Sequence, residues 1–199
     1  MVAGLIITFI IVILLIFVLI FYNSIYAFFE KKLFNRQVSK MIYKIAKDYD
    51  YYLLNNVAID VEGKTIHFNH ILFGDKYIYC IVEYFYPNAI SGKFNDSSWY
   101  RYKGNAKRII IKNPMILNRE RIKYFASRIS ATEDLFVATF IVNNSCLIDD
   151  IEGCSDNDRI INLSQFNNLV KEFESKEDVG PIEPEMLSKL VKKISKFCE

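Results

Sequence analysis

The chain has 199 residues, a formal net charge of +2, 52% hydrophobic residues and 15% aromatic residues. This length suits one modest domain with a small appendage, because domains usually hold roughly 100–200 residues. The near-neutral charge excludes an acidic tail or a uniformly basic nucleic-acid coat, and the apolar content excludes an intrinsically disordered chain. These averages conceal two parts, because residues 1–29 contain no charged side chain and every Lys, Arg, Asp and Glu follows them.

The first part is an apolar segment, residues 2–22, in which Thr8 is the only hydroxyl residue outside the aromatic rings. As a helix it would be about 31 Å long, the thickness of the hydrocarbon core of a bilayer. Tyr22 and Tyr26 fall where interfacial aromatic residues are common, and basic residues follow on the carboxyl side only. The basic residues are Lys31, Lys32, Arg36, Lys40, Lys44 and Lys47. This distribution predicts a single-pass anchor, residues 1–29, in the cell membrane, with the rest of the chain in the cytoplasm.

A cleaved signal peptide is the alternative interpretation of this segment. Signal peptides have a basic start and an apolar core of about 7–15 residues. The segment lacks the basic start and exceeds that length, and no clear small-x-small cleavage site follows it. An uncleaved anchor is therefore favoured.

The four cysteines indicate the same compartment as the anchor. No C-x-x-C pair occurs among the four cysteines, which are Cys80, Cys146, Cys154 and Cys198. We expect free, mostly buried thiols, as in proteins of a reducing compartment.

The second part, residues 30–179, is predicted to form a soluble domain that begins with an amphipathic helix over residues 34–47. Three strands follow, joined by turn signals at Glu62-Gly63 and Gly74-Asp75. The third strand is apolar on both faces, which is typical of a central strand covered on both sides. These strands are predicted at residues 51–60, 65–73 and 77–85.

The second half of this domain continues with strands and two further helices. Asn113 is a predicted helix cap with Pro114 at the first helical position, and Ser164 is predicted to cap a helix that ends at Phe173. The remaining predicted strands are a meander over residues 90–102 and single strands at 107–111, 135–142 and 159–162. This order predicts an α/β (α+β) fold, in which one mixed β-sheet is flanked by helices behind an N-terminal transmembrane helix.

The last part, residues 180–199, is predicted to be a Gly180-Pro181 linker and an amphipathic helix. The apolar face of this helix has three possible uses. It packs back on the domain, which is the default expectation, or it holds a protein partner, or it lies on the membrane.

Basic and acidic residues are concentrated in different segments of the chain. Residues 101–128 hold nine basic residues and one acidic residue, whereas residues 129–185 hold thirteen acidic and three basic residues. The basic block suits phosphates, with Tyr100, Tyr102 and Tyr124 available to stack on bases. The candidate nucleic-acid-binding residues are Lys107, Arg108, Lys112, Arg119, Arg121, Lys123 and Arg128. The alternatives are a surface neutralised by the acidic block and a surface that faces anionic lipid headgroups.

Three segments of this sequence resemble the nuclease-related domain (NERD) family. They are TIHFNHILFGDKYIYCIVEYFYPNAISGKF at residues 65–94, then SSWYRY, then KNPMILNRERIKYF. The pattern of that family is an Ile-Asp-His strand, a hairpin, a Glu-x-Lys strand, a Gly, a Trp, and Asn-Pro opening a helix. The resemblance covers about residues 34–142. It implies the restriction-endonuclease-like PD-(D/E)xK fold, with an α-β-β-β-α-β core, and a membrane span is common among the members.

The resemblance also implies where a nuclease site would lie. In such a site an Asp and a Glu hold a divalent metal that activates water, a Lys supports the nucleophile, and a helix Glu completes the cluster. In that order, these positions are occupied by Asn69, Glu83, Phe85 and Gln37. A shift of one residue would place Val82 and Tyr84 at the Glu and Lys positions, and neither register contains the Lys. His67 and His70 are three residues apart, so on a strand we expect them to face opposite sides and not to bind a metal jointly.

Two of the implied carboxylates are amides in this chain, and the implied ammonium is a phenyl ring. We therefore expect a degenerate, inactive nuclease-like module without a cofactor, acting in nucleic-acid or protein binding. One alternative is a metal-dependent nuclease with an atypical site around Glu83, for which Mg²⁺ would be the cofactor. The other is a structural membrane scaffold that works through its C-terminal helix.

Overall fold

The computed structural model describes residues 2–61, 63–103, 107–149, 151 and 156–197. The chain divides into two compact units, Met1–Gln37 and Val38–Glu199. Glu62 of the predicted turn, Cys154 and Cys198 lie outside the described residues. Cys80 and Cys146 are buried free thiols.

The described chain contains four α-helices and nine strands. The helices are α1 Val2–Asp48, α2 Pro114–Ile129, α3 Phe166–Glu174 and α4 Pro184–Ile194, with 3-10 turns at Glu133–Leu135, Leu163–Gln165 and Ser195–Phe197. The strands are β1 Tyr52–Val61, β2 Lys64–Phe73, β3 Ile78–Tyr84, β4 Ala89–Ser91, β5 Ser98–Lys103, β6 Lys107–Lys112, β7 Phe136–Val142, β8 Leu147–Asp149 and β9 Asp158–Asn162.

Helix α1 is bent within its apolar half. The segments Phe9–Tyr22 and Ser24–Asp48 meet at 60°. Among the described residues, no single helix is long and apolar enough to cross a membrane, although these two segments together reach the required length and composition. The large apolar side chains between Phe9 and Tyr22 are exposed. The membrane anchor therefore stays a prediction.

The strands form two mixed sheets, so the prediction of one sheet was wrong. Sheet A has the order β1-β2-β3-β7-β9, and sheet B has the order β6-β5-β4-β8. In sheet A, β1, β2 and β3 are antiparallel, whereas β7 and β9 run parallel to β3. In sheet B, β4, β5 and β6 are antiparallel and β8 is parallel to β4. The predicted meander, residues 90–102, is not part of sheet A, because the second neighbour of β3 in that sheet is β7, which lies far along the chain.

The main core lies between sheet A, sheet B and α2. Three rings of this core pack at tilted angles, with centroids 5.4 Å apart for Phe68 and Phe125 and 5.5 Å apart for Phe125 and Phe136. Trp99 of sheet B belongs to the same cluster of buried side chains. Burying such a cluster is the main source of stability, at roughly 25 cal/mol per Å² of apolar surface.

The opposite face of sheet A is covered by α3, whose last residue ties it to the turn between β2 and β3. The Tyr79 hydroxyl donates to Oε1 of Glu174 at 2.7 Å, and the Lys76 N–H donates to Oε2 at 2.9 Å. The Tyr79 ring packs edge-on against Phe166 and Phe173. Burial raises the pKa of the Glu174 carboxyl above its ordinary value. The start of this helix also differs from the prediction, because a 3-10 turn over Leu163–Gln165 precedes it and Ser164 is not its cap.

Helix α4 packs back on the domain. Leu190 and Ile194 are buried within the main core, and Leu187 and Val191 pack against it. The apolar stripe seen in the sequence is thus used inside the domain.

A tight loop fixes sheet B to the start of α2. The Asn113 side chain accepts hydrogen bonds from the N–H groups of Met115 and Ile116, at 2.9 and 3.3 Å. Its amide nitrogen donates to the carbonyls of Phe94 and Asp96, both at 2.7 Å. The predicted cap is confirmed, and it also closes the loop before β5.

Gly92 and Trp99 complete this loop. The Trp99 indole N–H donates to the Lys93 carbonyl at 2.8 Å, and the ring is fully buried. A Cβ atom at Gly92 would clash with that ring. The glycine is therefore required by the close approach of the indole.

Replacing Asn113 by Ala should lower the free energy of unfolding by about 2–4 kcal/mol. The substitution removes a helix cap and leaves two carbonyls without their donor. Chemical unfolding of the full chain in detergent, followed by the fluorescence of Trp99, the single tryptophan, would measure this loss. Asn168→Ala, on the exposed side of α3, is the matched control and should change stability by less than about 0.5 kcal/mol. Equal effects of the two substitutions would contradict the role of Asn113.

Candidate functional site

Asn69 and Glu83 meet where the pairing of β2 with β3 ends. The described register of these strands runs from Phe73 opposite Ile78 to His70 opposite Ile81. Just beyond it, Oδ1 of Asn69 accepts a hydrogen bond from the Glu83 N–H at 3.2 Å. Nδ2 of Asn69 lies 3.5 Å from Oε1 of Glu83, to which it donates. The Asn69 side chain thus takes the place of a backbone hydrogen bond between β2 and β3, and it also contacts the Glu83 carboxylate.

This geometry distinguishes the two placements of the Glu-x-Lys pattern on the sequence, which have either Glu83 or Val82 at the Glu position. Val82 belongs to the main core, on the α2 side of sheet A. Glu83 points to the other face, where it meets Asn69. Of the two residues, Glu83 is therefore the one that faces the Asp position of the family pattern.

His70 is the third member of the cluster. Its Nδ1 lies 2.6 Å from Oδ1 of Asn55, and its Nε2 lies 4.0 Å from Oε2 of Glu83. The side chains of His70 and Glu83 are 7% and 8% exposed, so both have been moved largely out of water. Burial lowers the pKa of His70 to about 4, and the nearby Glu83 carboxylate does not offset this decrease. The imidazole is therefore neutral at pH 7, with its Nδ1 proton donated to Asn55.

A slip in the strand alternation produces this arrangement. Phe68 and Ile71 both belong to the main core, although they are three residues apart on β2. On β1, Leu54 and Val57 both contact the same core, and Asn56 between them has a positive φ of 51°. Local twists of this kind redirect side chains, and bulged strands are common next to functional sites.

The slip invalidates the alternation argument for the two histidines. The two histidines nevertheless do not form a metal-binding pair, because His67 is exposed whereas His70 is buried. Asn55 carried no signal in the sequence, because a polar residue on an edge strand is ordinary.

The other two implied positions contribute no ionisable group. Phe85 follows the last residue of β3 and is half-buried. Gln37 is an exposed residue of α1 and belongs to the first compact unit. Asn69 and Glu83 are thus the two implied positions whose side chains are seen in contact.

The residues of this cluster do not fit a divalent metal. Mg²⁺ and Ca²⁺ take oxygen ligands, usually with more than one carboxylate. Glu83 is the only carboxylate of the cluster, and the Asn69 oxygen is already engaged by the Glu83 N–H. Within the described ranges, no group of three or more His, Cys, Asp or Glu side chains could hold a metal ion.

The basic block of residues 101–128 is divided between α2 and sheet B. On α2, Lys123 and Arg128 are exposed and Arg121 is half-buried. Arg119 is engaged within the fold, because Nε and Nη2 both donate to Oδ2 of buried Asp158, the first at 3.0 Å. Its guanidinium also lies 4.5 Å from the centre of the Phe94 ring. Arg119 therefore ties α2 to β9 and is poorly placed to bind phosphate.

The other part of the block lies on the outer side of sheet B. Register places Tyr100 opposite Ile110 and Tyr102 opposite Arg108, while Trp99 on the alternate side is buried. Tyr100 is 41% exposed and Ile110 is 69% exposed. The Arg108 guanidinium carbon lies 5.7 Å from the Tyr100 ring centre and 5.6 Å from the Tyr102 ring centre. We call this surface the tyrosine face; its members are Tyr100, Tyr102, Arg108, Ile110 and Lys112.

A groove of about 680 Å³ lies at the other end of sheet A. Tyr77, Leu135 and Asn157, which line it, precede the parallel strands β3, β7 and β9. Glu83 lies near the carboxyl end of β3, where ligands bind in open α/β sheets. The groove and the Asn69–Glu83 cluster are therefore separate features.

Comparison with known proteins finds a family model that matches this sequence. A family model described as nuclease-related domain (NERD) matches residues 30–143, more than half of the chain. The crystal structure of a protein of unknown function, AF1548, aligns with 82% of this chain and 79% of its own chain, at 13% identity and a TM-score of 0.42. No curated protein matches the sequence.

The depressed pKa of His70 should make stability fall in mild acid. The unfolded imidazole titrates near pH 6.5, whereas the folded one titrates near pH 4. Between these values the unfolded chain binds more protons, so stability present above pH 6.5 is lost as the pH falls toward 4. The full effect is on the order of 3 kcal/mol. His70→Gln should flatten this part of the stability curve.

The titration itself can be followed by NMR of the imidazole protons of full-length protein in detergent, with His67→Gln to assign the second histidine. A His70 pKa near or above 6.5 would contradict the buried neutral imidazole. In that case the Glu83 carboxylate would be stabilising the protonated ring.

Proposed function

This chain belongs to the nuclease-related domain family, and on that premise we propose that it is a membrane-anchored, catalytically degenerate nuclease-like module that binds nucleic acid without cutting it. The observation that carries the proposal is the contact between the Asn69 amide and Glu83. An Asp at position 69 would bring two carboxylates together, and a bound cation would be needed to relieve their repulsion. An amide donates to the Glu83 carboxylate instead. The neutral amide thus avoids the charge repulsion that would require a cation at this position.

Two further properties support the loss of catalysis. The ammonium that would support a nucleophile is replaced by the phenyl ring of Phe85. The Glu83 side chain is 8% exposed and the His70 imidazole is neutral, so neither forms an open, charged cradle for a phosphate. Metal-dependent hydrolysis needs an ion that both activates water and polarises the phosphate.

Binding of nucleic acid is supported by the exposed cations that remain outside the Arg119–Asp158 ion pair. Lys107, Arg108 and Lys112 on β6 and Lys123 and Arg128 on α2 are exposed. Cations of this kind bind phosphates at any sequence by releasing counterions.

The anchor is proposed from the sequence and from the exposed apolar residues of α1. The uncharged segment before Glu30 is followed by basic residues, which favours a cytoplasmic location for the soluble domain. Large apolar side chains between Phe9 and Tyr22 are exposed, as expected of a helix solvated by lipid.

Full-length wild-type protein should cleave neither single-stranded nor duplex nucleic acid in Mg²⁺ or Mn²⁺, and Mn²⁺ should not shift its thermal unfolding midpoint. The double substitution Asn69→Asp with Phe85→Lys restores two of the family positions. It should destabilise the metal-free protein by like-charge repulsion and should create a Mn²⁺-dependent rise of the midpoint.

The matched control is Asn69→Ala with Phe85→Lys, which removes the amide without adding a carboxylate and should show no such rise. Cleavage by wild-type protein that disappears in Glu83→Gln would overturn the proposal and would establish an atypical metal-dependent nuclease.

The anchor predicts that the full chain stays in the membrane fraction after washing at alkaline pH. Leu15→Asp places a charge in the middle of the span, at a cost of about 2.5–3.5 kcal/mol, and should release a fraction of the protein. Leu33→Asp, an equally exposed leucine beyond the span, is the matched control and should remain bound. Release of wild-type protein at alkaline pH would contradict the anchor.

A further inference from the structure

We propose that the tyrosine face of sheet B is a binding surface for single-stranded nucleic acid, separate from the Asn69–Glu83 cluster. This inference rests on the proposed function, to which it adds the binding surface and the form of the ligand.

The first argument is the exposure of an aromatic ring and an apolar side chain on the outer side of sheet B. Tyr100 is 41% exposed and its cross-strand partner Ile110 is 69% exposed. The alternate residues Trp99 and Ile90 are buried in the core, so they fix which side of the sheet faces outward. An exposed ring on a rigid strand offers a flat surface on which a base can stack, whatever its sequence.

The second argument is the position of the cations. Arg108 lies at nearly equal distances, 5.7 and 5.6 Å, from the two tyrosine rings. A guanidinium held beside aromatic rings can bond a phosphate while a base stacks on the ring. Lys112 lies on the same side, opposite Ser98 at the start of β5.

The third argument concerns the form of the nucleic acid. Tyr100 and Tyr102 are two residues apart on one strand, which separates their Cα atoms by about 6.8 Å. This distance is twice the 3.4 Å rise per stacked base of a duplex strand. Successive bases can therefore meet both rings only when the strand is unstacked, and a duplex would keep its bases away from them.

Within the described strands of sheet B, the only acidic residue is Asp149, on the edge strand farthest from β6. Asp149 on β8 lies opposite Ser91 on β4, so two strand spacings separate β8 from β5 and three separate it from β6. At 4.8 Å per strand, β8 is about 14 Å from β6. This distance exceeds the screening length of about 8 Å at physiological ionic strength, so Asp149 does little to weaken phosphate binding at Arg108. A second copy of this chain is a poor occupant, because it would present the same cations.

The test measures binding by the full chain in nanodiscs of uncharged phosphatidylcholine. The probe is a fluorescent oligo-thymidine of about 20 nucleotides, and a duplex of equal length and vesicles containing phosphatidylserine are the competitors. Wild-type protein should bind the single strand more tightly than the duplex. Tyr100→Ala should weaken this binding by about tenfold or more, and Arg108→Glu should weaken it and also reduce its salt dependence.

The chain supplies matched controls for both substitutions. Tyr52→Ala removes a tyrosine that is 52% exposed on β1, and Lys171→Glu reverses an exposed cation of α3. Both should leave the affinity within about twofold of wild type, as surface substitutions away from a binding site usually do. Tyr100→Leu keeps an apolar side chain on the strand but removes the aromatic ring. It should bind as weakly as Tyr100→Ala, which excludes misfolding as the cause.

The possible failures are distinguishable. If wild-type protein binds no nucleic acid, the proposed function fails together with this inference. Binding that is unaffected by Tyr100→Ala, or a duplex bound as tightly as the single strand, would overturn the inference alone. Displacement of the oligonucleotide by phosphatidylserine vesicles, with Tyr100-dependent vesicle binding stronger than that of the single strand, would also overturn it and would identify a lipid-binding face.

Discussion

The hydrogen bonds of the Asn113 side chain join helix α2 to sheet B. One amide accepts from the first turn of α2 and donates to the loop that enters β5, so helix and sheet B share one buried polar group. A buried amide with unsatisfied atoms is costly, and therefore the loop and the helix must form together. Gly92 and Trp99 lie in the same loop and are coupled by close contact. The Gly, Trp and Asn-Pro positions of the family pattern thus have a structural role in this chain.

This chain belongs to the nuclease-related domain family, and our proposal is that it keeps the scaffold of the family and has lost the chemistry. Residues of the scaffold and residues of a metal site are constrained by different interactions. Asn113 and Trp99 are held by many neighbours, so a change would disturb the whole core. A metal ligand is different, because the strained proximity of two carboxylates is relieved only by the ion. Once Asn69 donates to Glu83, the ion is no longer needed to keep β2 and β3 together at this point.

Local features of the fold could be predicted from the sequence, whereas long-range pairings could not. The cap at Asn113 depends on residues within one turn, and most strand positions depend on short apolar patterns, so these were found. Strand β8, Leu147–Asp149, is only three residues long and was not predicted. The division into two sheets depends on β3 choosing β7 as its neighbour, 58 residues later by their first residues, and no local signal reports this choice. The slip of β2 between Phe68 and Ile71 changed the side-chain alternation that the histidine argument assumed. The role of Arg119 was hidden because its partner, Asp158, is distant in sequence.

The position of β6 has a consequence for copies of the protein that share one membrane. This strand ends sheet B, and its sequence KRIIIK would pair readily with an identical strand from a neighbour. Tethering to a surface, as we propose, raises the effective concentration of such neighbours. Lys107, Arg108 and Lys112 are exposed along the edge, so two copies that approach strand to strand repel each other. If the protein is tethered as we propose, the charge that would attract a polyanion also keeps the sheets of two neighbouring copies from joining edge to edge.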